Sequence, residues 1–388
     1  MKKSALTGRR FRWKPGVFSD RELRGAVSAE WIRATTPIEE RQLQPASLDL
    51  RLGPTAYQLR ASFLPSPQSV LSRLNQDDLL NSDLVIDRIS LEQGATLQRG
   101  TVYLVPLLES LALPRSVRGR CNPKSTTGRL DIFTRLIADE ASRFDEIKPG
   151  YRGPLYLEIC PQSFPIRVQQ GLSLNQVRFA WGRSAVPDAA LARMYQRLPL
   201  LYDDDDRPVR FDRSLFKGGL RMGIDLSGRV TDGIIGYRAI KNTPAVDLSK
   251  TNSYDPAEYW EPINKPGRDS FILDADRFYI LVSKERIRVP PDVAAEMVVY
   301  DAGAGEIRTH YAGFFDPGFG FGDGNILGTK VVMEVRAREV AFMVYHGQTL
   351  FRVSLERMMT RPERIYGVGL QSSYQDQTLT LSKQFRRS

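Results

Sequence analysis

Apolar residues along the chain gather in short runs bounded by Gly, Pro and Asp, and only rarely recur at helical spacing. TVYLVPLL (101–108), PLYLEIC (154–160), RFYILVS (277–283) and KVVMEVRAREVAFMVY (330–345) are rich in Val, Ile, Tyr and Phe and partly alternate. This is the punctuation of strands and turns. In PLYLEI the period of two places Tyr156 and Glu158 on one face and Leu155, Leu157 and Ile159 on the other. Helical spacing is confined to short pieces, SDRELRGAVSAEWI near the start and VPDAALARMYQRL near the middle. No apolar run approaches the roughly 18 residues of a membrane span. The pattern predicts a mainly β protein with short peripheral helices.

The pattern also repeats. Asp49 in PASLDLRLG and Asp225 in RMGIDLSG lie 176 residues apart, and the same offset relates Tyr103 to Tyr279, Glu109 to Glu285, Pro114 to Pro290, Glu158 to Glu334, Gly171 to Gly347 and Val177 to Val353. A constant offset over this length reads as a duplicated unit. The predicted organisation is a first β-barrel over 1–185 with a basic N-terminal extension and a linker over 186–212 carrying a short helix. A second, diverged barrel follows over 213–388 with a C-terminal lid segment. Asp203 to Asp206, in the linker, are expected to be solvated.

Composition narrows the chemistry. The 388 residues carry 55 Lys and Arg against 45 Asp and Glu, a formal net charge of +10, which favours a polyanionic partner. Two cysteines, Cys121 and Cys160, and two histidines, His310 and His346, supply neither a disulfide framework nor a Cys/His metal cage. Chemistry is therefore expected to run on carboxylates, hydroxyls, Arg and Lys, with no protein-bound metal and the histidines in structural or solvent-facing places. The basic start, MKKSALTGRRFRWKPGVF, lacks the apolar core of a secretory signal, so a cytoplasmic location is the expectation.

Two segments concentrate polar groups. In GRCNPKSTTGRLDIFTR (119–135), Lys124 and Arg129 flank Ser125, Thr126, Thr127 and Gly128. Hydroxyls, main-chain N–H groups and cations can donate there together, as phosphate oxygens require, although the GxxxxGK[ST] spacing of a Walker loop is missing. In EIKPGYRGPLYLEI a Pro-Gly turn introduces the strand that ends in Glu158. A carboxylate so placed is either surface-facing or held in a cleft as a general base.

These segments carry a resemblance. PASLDLRLG, PKSTTGRL, PGYRGPLYLE and RVQQGLSLNQVRF, in this order and spacing, resemble the dCTP deaminases of the trimeric dUTPase-like superfamily, in the longer form with two fused units. The resemblance covers nearly the whole chain. It implies two tandem distorted jelly-roll β-barrels, barrels packed in threes with nucleotide pockets between neighbours, a homotrimer of fused chains, and no catalytic zinc. By motif, Ser125 and Arg129 fall on the family's pocket serine and arginine and Glu158 on its general base, with Arg129 orienting Glu158. The implied reaction is hydrolysis of dCTP to dUTP and ammonia, in pyrimidine deoxynucleotide synthesis. Lys124, Thr126 and Thr127 would then serve the phosphates, with Mg²⁺ arriving on the triphosphate. Tyr374, Gln375 and Gln377, in YGVGLQSSYQDQTLTLSKQFR, resemble the closing segment of the family.

The halves depart from the family pattern in opposite ways. Lys148 occupies the position of a sugar-contacting aspartate that the second half keeps as Asp316, while YDAGAGEIRTH in the second half loses the hydroxyl cluster and keeps only Arg308 nearby. The working pocket is therefore expected to be shared, with the Ser/Arg segment of one barrel meeting FFDPGF of the other; whether Glu158 or Glu334 serves stays open. The alternatives are a dUTP pyrophosphatase or bifunctional deaminase, and a non-catalytic nucleotide- or nucleic-acid-binding protein. The last is disfavoured because the basic residues are dispersed and no aromatic array marks a single-strand groove.

Overall fold

The computed structural model describes residues 14–74, 82–299, 307–310, 313–337, 339–367, 374 and 377–387. The alternation in PLYLEI is realised in the strand Arg152–Pro161, which sends Leu155, Leu157 and Ile159 into the main core of the first half. Tyr156, on the other face, joins a smaller cluster with Tyr57, Leu104 and Ile137. Both faces of this strand are thus buried.

Strand order shows the duplication directly. In the first half one sheet runs Val85–Ser90, Thr55–Leu59, Val102–Ala112, Arg152–Pro161, Ile132–Ala138. In the second half the corresponding order is Trp260–Asn264, Ile234–Ala239, Phe278–Ile287, Thr329–Ala337, Ile307–His310. An opposing sheet in each half centres on Asn175–Trp181 beside Val117–Pro123, and on Thr349–Arg357 beside Val293–Val299. A third, small sheet pairs Ala95–Leu97 with Ile166–Val168, and Ser270–Leu273 with Phe342–Tyr345. The fold is mainly β, and among the described residues no helix is long and apolar enough to cross a membrane.

The stretch read as a linker is folded into the second half. Its helix Asp188–Arg197 buries Leu191 and Tyr195 in that core, Asp188 accepts the N–H groups of Gly218 and Gly219, and Leu201–Tyr202 pairs with Arg286 and Ile287. The apolar stripe at helical spacing outweighs the polar composition around it. The acidic run is not simply solvated either: Asp204 meets the buried Lys330 Nζ at 2.7 Å, and Asp206 contacts Arg286. A buried ammonium requires such a partner.

The halves adhere through backbone and side chains alike. Ile166–Arg167 pairs in parallel with Val246–Asp247, and Phe164 packs edge-on to Tyr259 and Trp260 at centroid distances of 5.7 and 5.3 Å. Arg120 pairs with Glu296 at 2.8 Å, Arg336 reaches the buried Asp131, and Phe385 near the C-terminus returns to the first core.

Candidate active site

A cavity of about 520 Å³ opens on this seam and draws its walls from both halves. Its size falls in the range of small-molecule sites. Ser125–Gly128 forms a single helical turn after the strand Val117–Pro123, with Lys124 as its N-cap. The turn places Ser125 and Thr126 on the cavity wall. Thr127 is 2% exposed, and its hydroxyl donates to the Leu174 carbonyl at 2.8 Å. That hydroxyl anchors the turn, which leaves Thr127 on the cavity lining with its donor already used. Lys124 contacts Asp49 from PASLDLRLG, so the cation reaches across the wall already paired.

Opposite stands the second half. Glu334, on the strand Thr329–Ala337, is buried and lies against Gly128: a Cβ built on that glycine would fall 2.5–2.6 Å from three atoms of its carboxyl group. Only a residue without a side chain allows the Ser/Arg turn and this carboxylate to approach so closely. Asp316, in the FFDPGF turn, is held by Arg178 at 3.3 Å. The same guanidinium donates to the Phe315 carbonyl at 2.9 Å and to the Ala295 carbonyl at 2.7 Å, crossing from the first half to the second. Burial raises the pKa of Asp316 above the ordinary carboxylate value; Arg178 works in the opposite direction.

Arg129 joins the turn to the C-terminal segment. Its Nη2 donates to Gln377 Oε1 at 2.6 Å and its Nη1 to the Thr380 carbonyl at 2.8 Å, while the guanidinium stacks 3.7 Å from the centre of the Tyr374 ring. Burial lowers its pKa, and Tyr374, Glu334 and Tyr366 counter that effect. Tyr374 closes the loop through a 2.9 Å bond between its hydroxyl and that of Thr126, and Ser382 donates to the Thr126 carbonyl. Gln375, the third residue expected of the closing segment, lies outside the described residues, as do all of YDAGAGE and the basic first 13 residues.

Glu158 does not reach this cavity. It is buried on Arg152–Pro161 opposite Arg135 of the neighbouring strand, whose Nε and Nη2 donate to its Oε1 at 2.8 and 2.6 Å. Phe144 and Ser62 hold that guanidinium in turn. The expectation that Arg129 orients Glu158 is therefore corrected: within the chain, Glu334 is the glutamate beside Ser125 and Arg129. The shared pocket joins the Ser/Arg turn to FFDPGF as expected.

Several residues in the cavity wall or bracing it from behind escaped sequence reasoning. Asp49 served only to mark the repeat, and Arg178 stood without a role inside RVQQGLSLNQVRF. Lys383 lines the wall with Asp49, its pKa lowered by burial first and by Lys124 second. An isolated Arg in the apolar run NQVRFAW was the available signal for Arg178, since a charge in a buried strand demands a partner.

Fold and cavity together define a class: a duplicated β protein whose inter-unit pocket combines cations, hydroxyls and buried carboxylates, suited to a phosphorylated ligand. Family models for the N-terminal and C-terminal domains of 2'-deoxycytidine 5'-triphosphate deaminase match residues 14–183 and 188–385. The chain belongs to that family. A solved relative, the 2'-deoxycytidine 5'-triphosphate deaminase from Agrobacterium tumefaciens, is 43% identical, with a TM-score of 0.82 over 90% of this chain and 99% of its own. The dUMP-forming dCTP deaminase of Corynebacterium glutamicum is 28% identical over 162 residues, 42% of this chain and 78% of its own length. That of a Parafrankia species is 30% identical over 162 residues, 42% of this chain and 74% of its own. The likeness agrees with a dUTPase-like β fold.

Proposed function

We propose that this protein deaminates dCTP in the pocket between its two halves, with Glu334 as the general base. The observation that carries this reading is the contact of the Glu334 carboxylate with the Ser125–Arg129 turn. Deamination at C4 of cytosine adds water, expels ammonia and leaves a carbonyl. One group must take the proton of the water and return protons to the ring nitrogen and the departing amine. Glu334 is buried where a carboxylate can do both, and Arg129 of the facing turn is coupled to it electrostatically. Ser125 and main-chain groups of the turn hold the water and the amine. A general base supplies about 10²–10⁴-fold, so these positioned dipoles must provide much of the remaining acceleration.

Lys124, Thr126 and Lys383 supply the donors for the triphosphate, which brings Mg²⁺ with it, and Tyr374 and Gln377 close over the site by fixing Arg129. Asp316 serves the sugar. The leading product is dUTP, for use in pyrimidine deoxynucleotide synthesis. A second reading, direct formation of dUMP, is favoured by the naming of the relatives as dUMP-forming and by the two carboxylates, Asp49 and Asp316, that border the cationic wall. Incubation with dCTP, CTP and dUTP, resolving ammonia, dUTP, dUMP and pyrophosphate, tests both. Ammonia with dUTP supports the first reading, and ammonia with dUMP and pyrophosphate the second. No ammonia from dCTP would remove both.

A further inference from the structure

Two residues of one strand face grip the Ser/Arg segment at points three residues apart. Glu334 and Arg336, two positions from each other on Thr329–Ala337, project from the same side of the sheet. Glu334 lies against Gly128, and Arg336 Nη2 bonds the Asp131 carboxylate. Asp131 closes the turn: its N–H donates to the Gly128 carbonyl at 2.8 Å, and its own carbonyl accepts the Gln162 N–H at 3.0 Å, just past Arg152–Pro161.

The backbone at Asp131 is left-handed, with φ 54°, where glycine is the least strained residue and Asp is among the few others that fit. What the aspartate adds over a glycine is its carboxylate, which is completely buried. It accepts the Ser163 hydroxyl at 2.6 Å as well as Arg336, while Arg336 Nη1 donates to the Asp276 carbonyl at 3.0 Å. Each half thus supplies one charge of the pair and one group that braces it. The strand that carries Glu158 differs at this position. Two residues after Glu158 stands Cys160, whose Sγ accepts from Gln162 of the same half at 3.0 Å. A charged fork that crosses the seam therefore accompanies the glutamate of the shared pocket, and a thiol accompanies the other.

We infer that Arg336 is a positioning residue for the deamination: by holding Asp131 it fixes the Glu334 carboxylate against the Ser125–Arg129 turn. The inference rests on the reading of Glu334 as the base. A buried ion pair contributes little net stability compared with apolar residues of similar volume, whereas a guanidinium fork bonds a carboxylate only in a narrow range of geometries. The pair therefore acts on the placement of the strand relative to the turn more than on the strength of the seam. Neither Arg336 nor Asp131 is among the described residues that line the cavity, so binding groups for the ligand stay in place when the pair is lost. The loss falls on the chemical step, where a displacement of about 1 Å can cost about 10²-fold.

Steady-state ammonia release from dCTP and thermal melting, both measured on the full-length protein, test the inference. Arg336→Met is expected to lower kcat by about 10–100-fold with KM within about threefold, and to lower the melting temperature because Asp131 is left buried without its cation. The double variant Arg336→Met/Asp131→Asn removes both charges, and Asn tolerates the left-handed backbone. Its melting temperature is expected to return towards wild type while kcat stays low, and it decides the matter if Arg336→Met fails to fold. A pair that serves stability alone would let kcat recover together with the melting temperature; that result, or an unchanged kcat in Arg336→Met, overturns the inference. Glu334→Gln, assayed alongside, separates the two claims. Turnover lost in Glu334→Gln but kept in the double variant overturns the role of Arg336 alone, whereas turnover kept in Glu334→Gln removes the base and this inference with it.

Discussion

Glu158 and Glu334 occupy the same place in the two copies of one strand, yet the fold gives them opposite surroundings. Glu158 faces Arg135 across the strand pair and spends one carboxylate oxygen on two guanidinium bonds. At the corresponding strand pair in the second half, Glu334 stands in register with His310, and its carboxylate lies against Gly128 of the other half. A duplicated sequence therefore preserves the residue but not its surroundings. Those are set by what crosses the seam, and only the first half carries the Ser/Arg sequence.

Replacing Glu334 by Gln separates the two most strongly. Gln keeps the shape and removes the base, so kcat for ammonia release from dCTP is expected to fall by about 10²–10⁴-fold while the fold persists. Retained turnover in steady-state assays would remove Glu334 from the role of base.

The next largest effect lies beneath Glu158. Asp145 accepts the Leu136 N–H, and its pKa is raised to about 7, chiefly by burial and further by Glu158, against the pull of that bond and of Arg135. A carboxyl whose folded pKa lies above its unfolded value favours the folded state most at low pH and loses that contribution as pH climbs from about 4 to 7. Asp145→Asn lacks this loss. Its melting temperature relative to wild type should therefore rise between pH 5 and pH 8, by the equivalent of roughly 2–3 kcal/mol. A constant difference across that window would show that Asp145 does not titrate there. Smaller still is Glu158→Gln: kcat should change by less than about threefold, while denaturant unfolding shows a loss of about 1–2 kcal/mol, moderated because Arg135 is partly exposed and can recruit water. A collapse of kcat would return Glu158 to the mechanism.

The strands and the repeat were legible because both depend on local pattern. Leu155, Leu157 and Ile159 alternate in the chain and in the core alike. The joining of the Ser/Arg turn to FFDPGF was legible too, since each half had lost what the other kept. The choice of glutamate was not, because it rests on Arg135 being the cross-strand neighbour of Glu158, a matter of register and not of composition. Asp49 and Lys124, 75 residues apart, and Arg178 and Asp316, 138 apart, likewise meet only through the fold. The helix Asp188–Arg197 was visible as a helix, but its membership of the second core depended on packing partners far along the chain.

The C-terminal segment supplies the finest contrast between the two glutamates. Among the described residues it reaches the Glu334 side alone: Tyr374 stacks on Arg129 and bonds Thr126, and Gln377 accepts a bond from Arg129. Removing the Tyr374 hydroxyl keeps the stacking and deletes one hydrogen bond to the turn, a change of about 0.5–1.5 kcal/mol. If closure over the triphosphate uses that bond, Tyr374→Phe should raise KM for dCTP by about 2–10-fold with kcat nearly unchanged, because the loss falls on binding and not on the chemical step. Stopping the chain before Ser372 removes the stacking as well and should raise KM further. An unchanged KM in both variants would mean that the segment only braces Arg129 from outside. A fall in kcat with KM constant would instead place Tyr374 among the groups that stabilise the transition state, tying the closing segment to Glu334 itself.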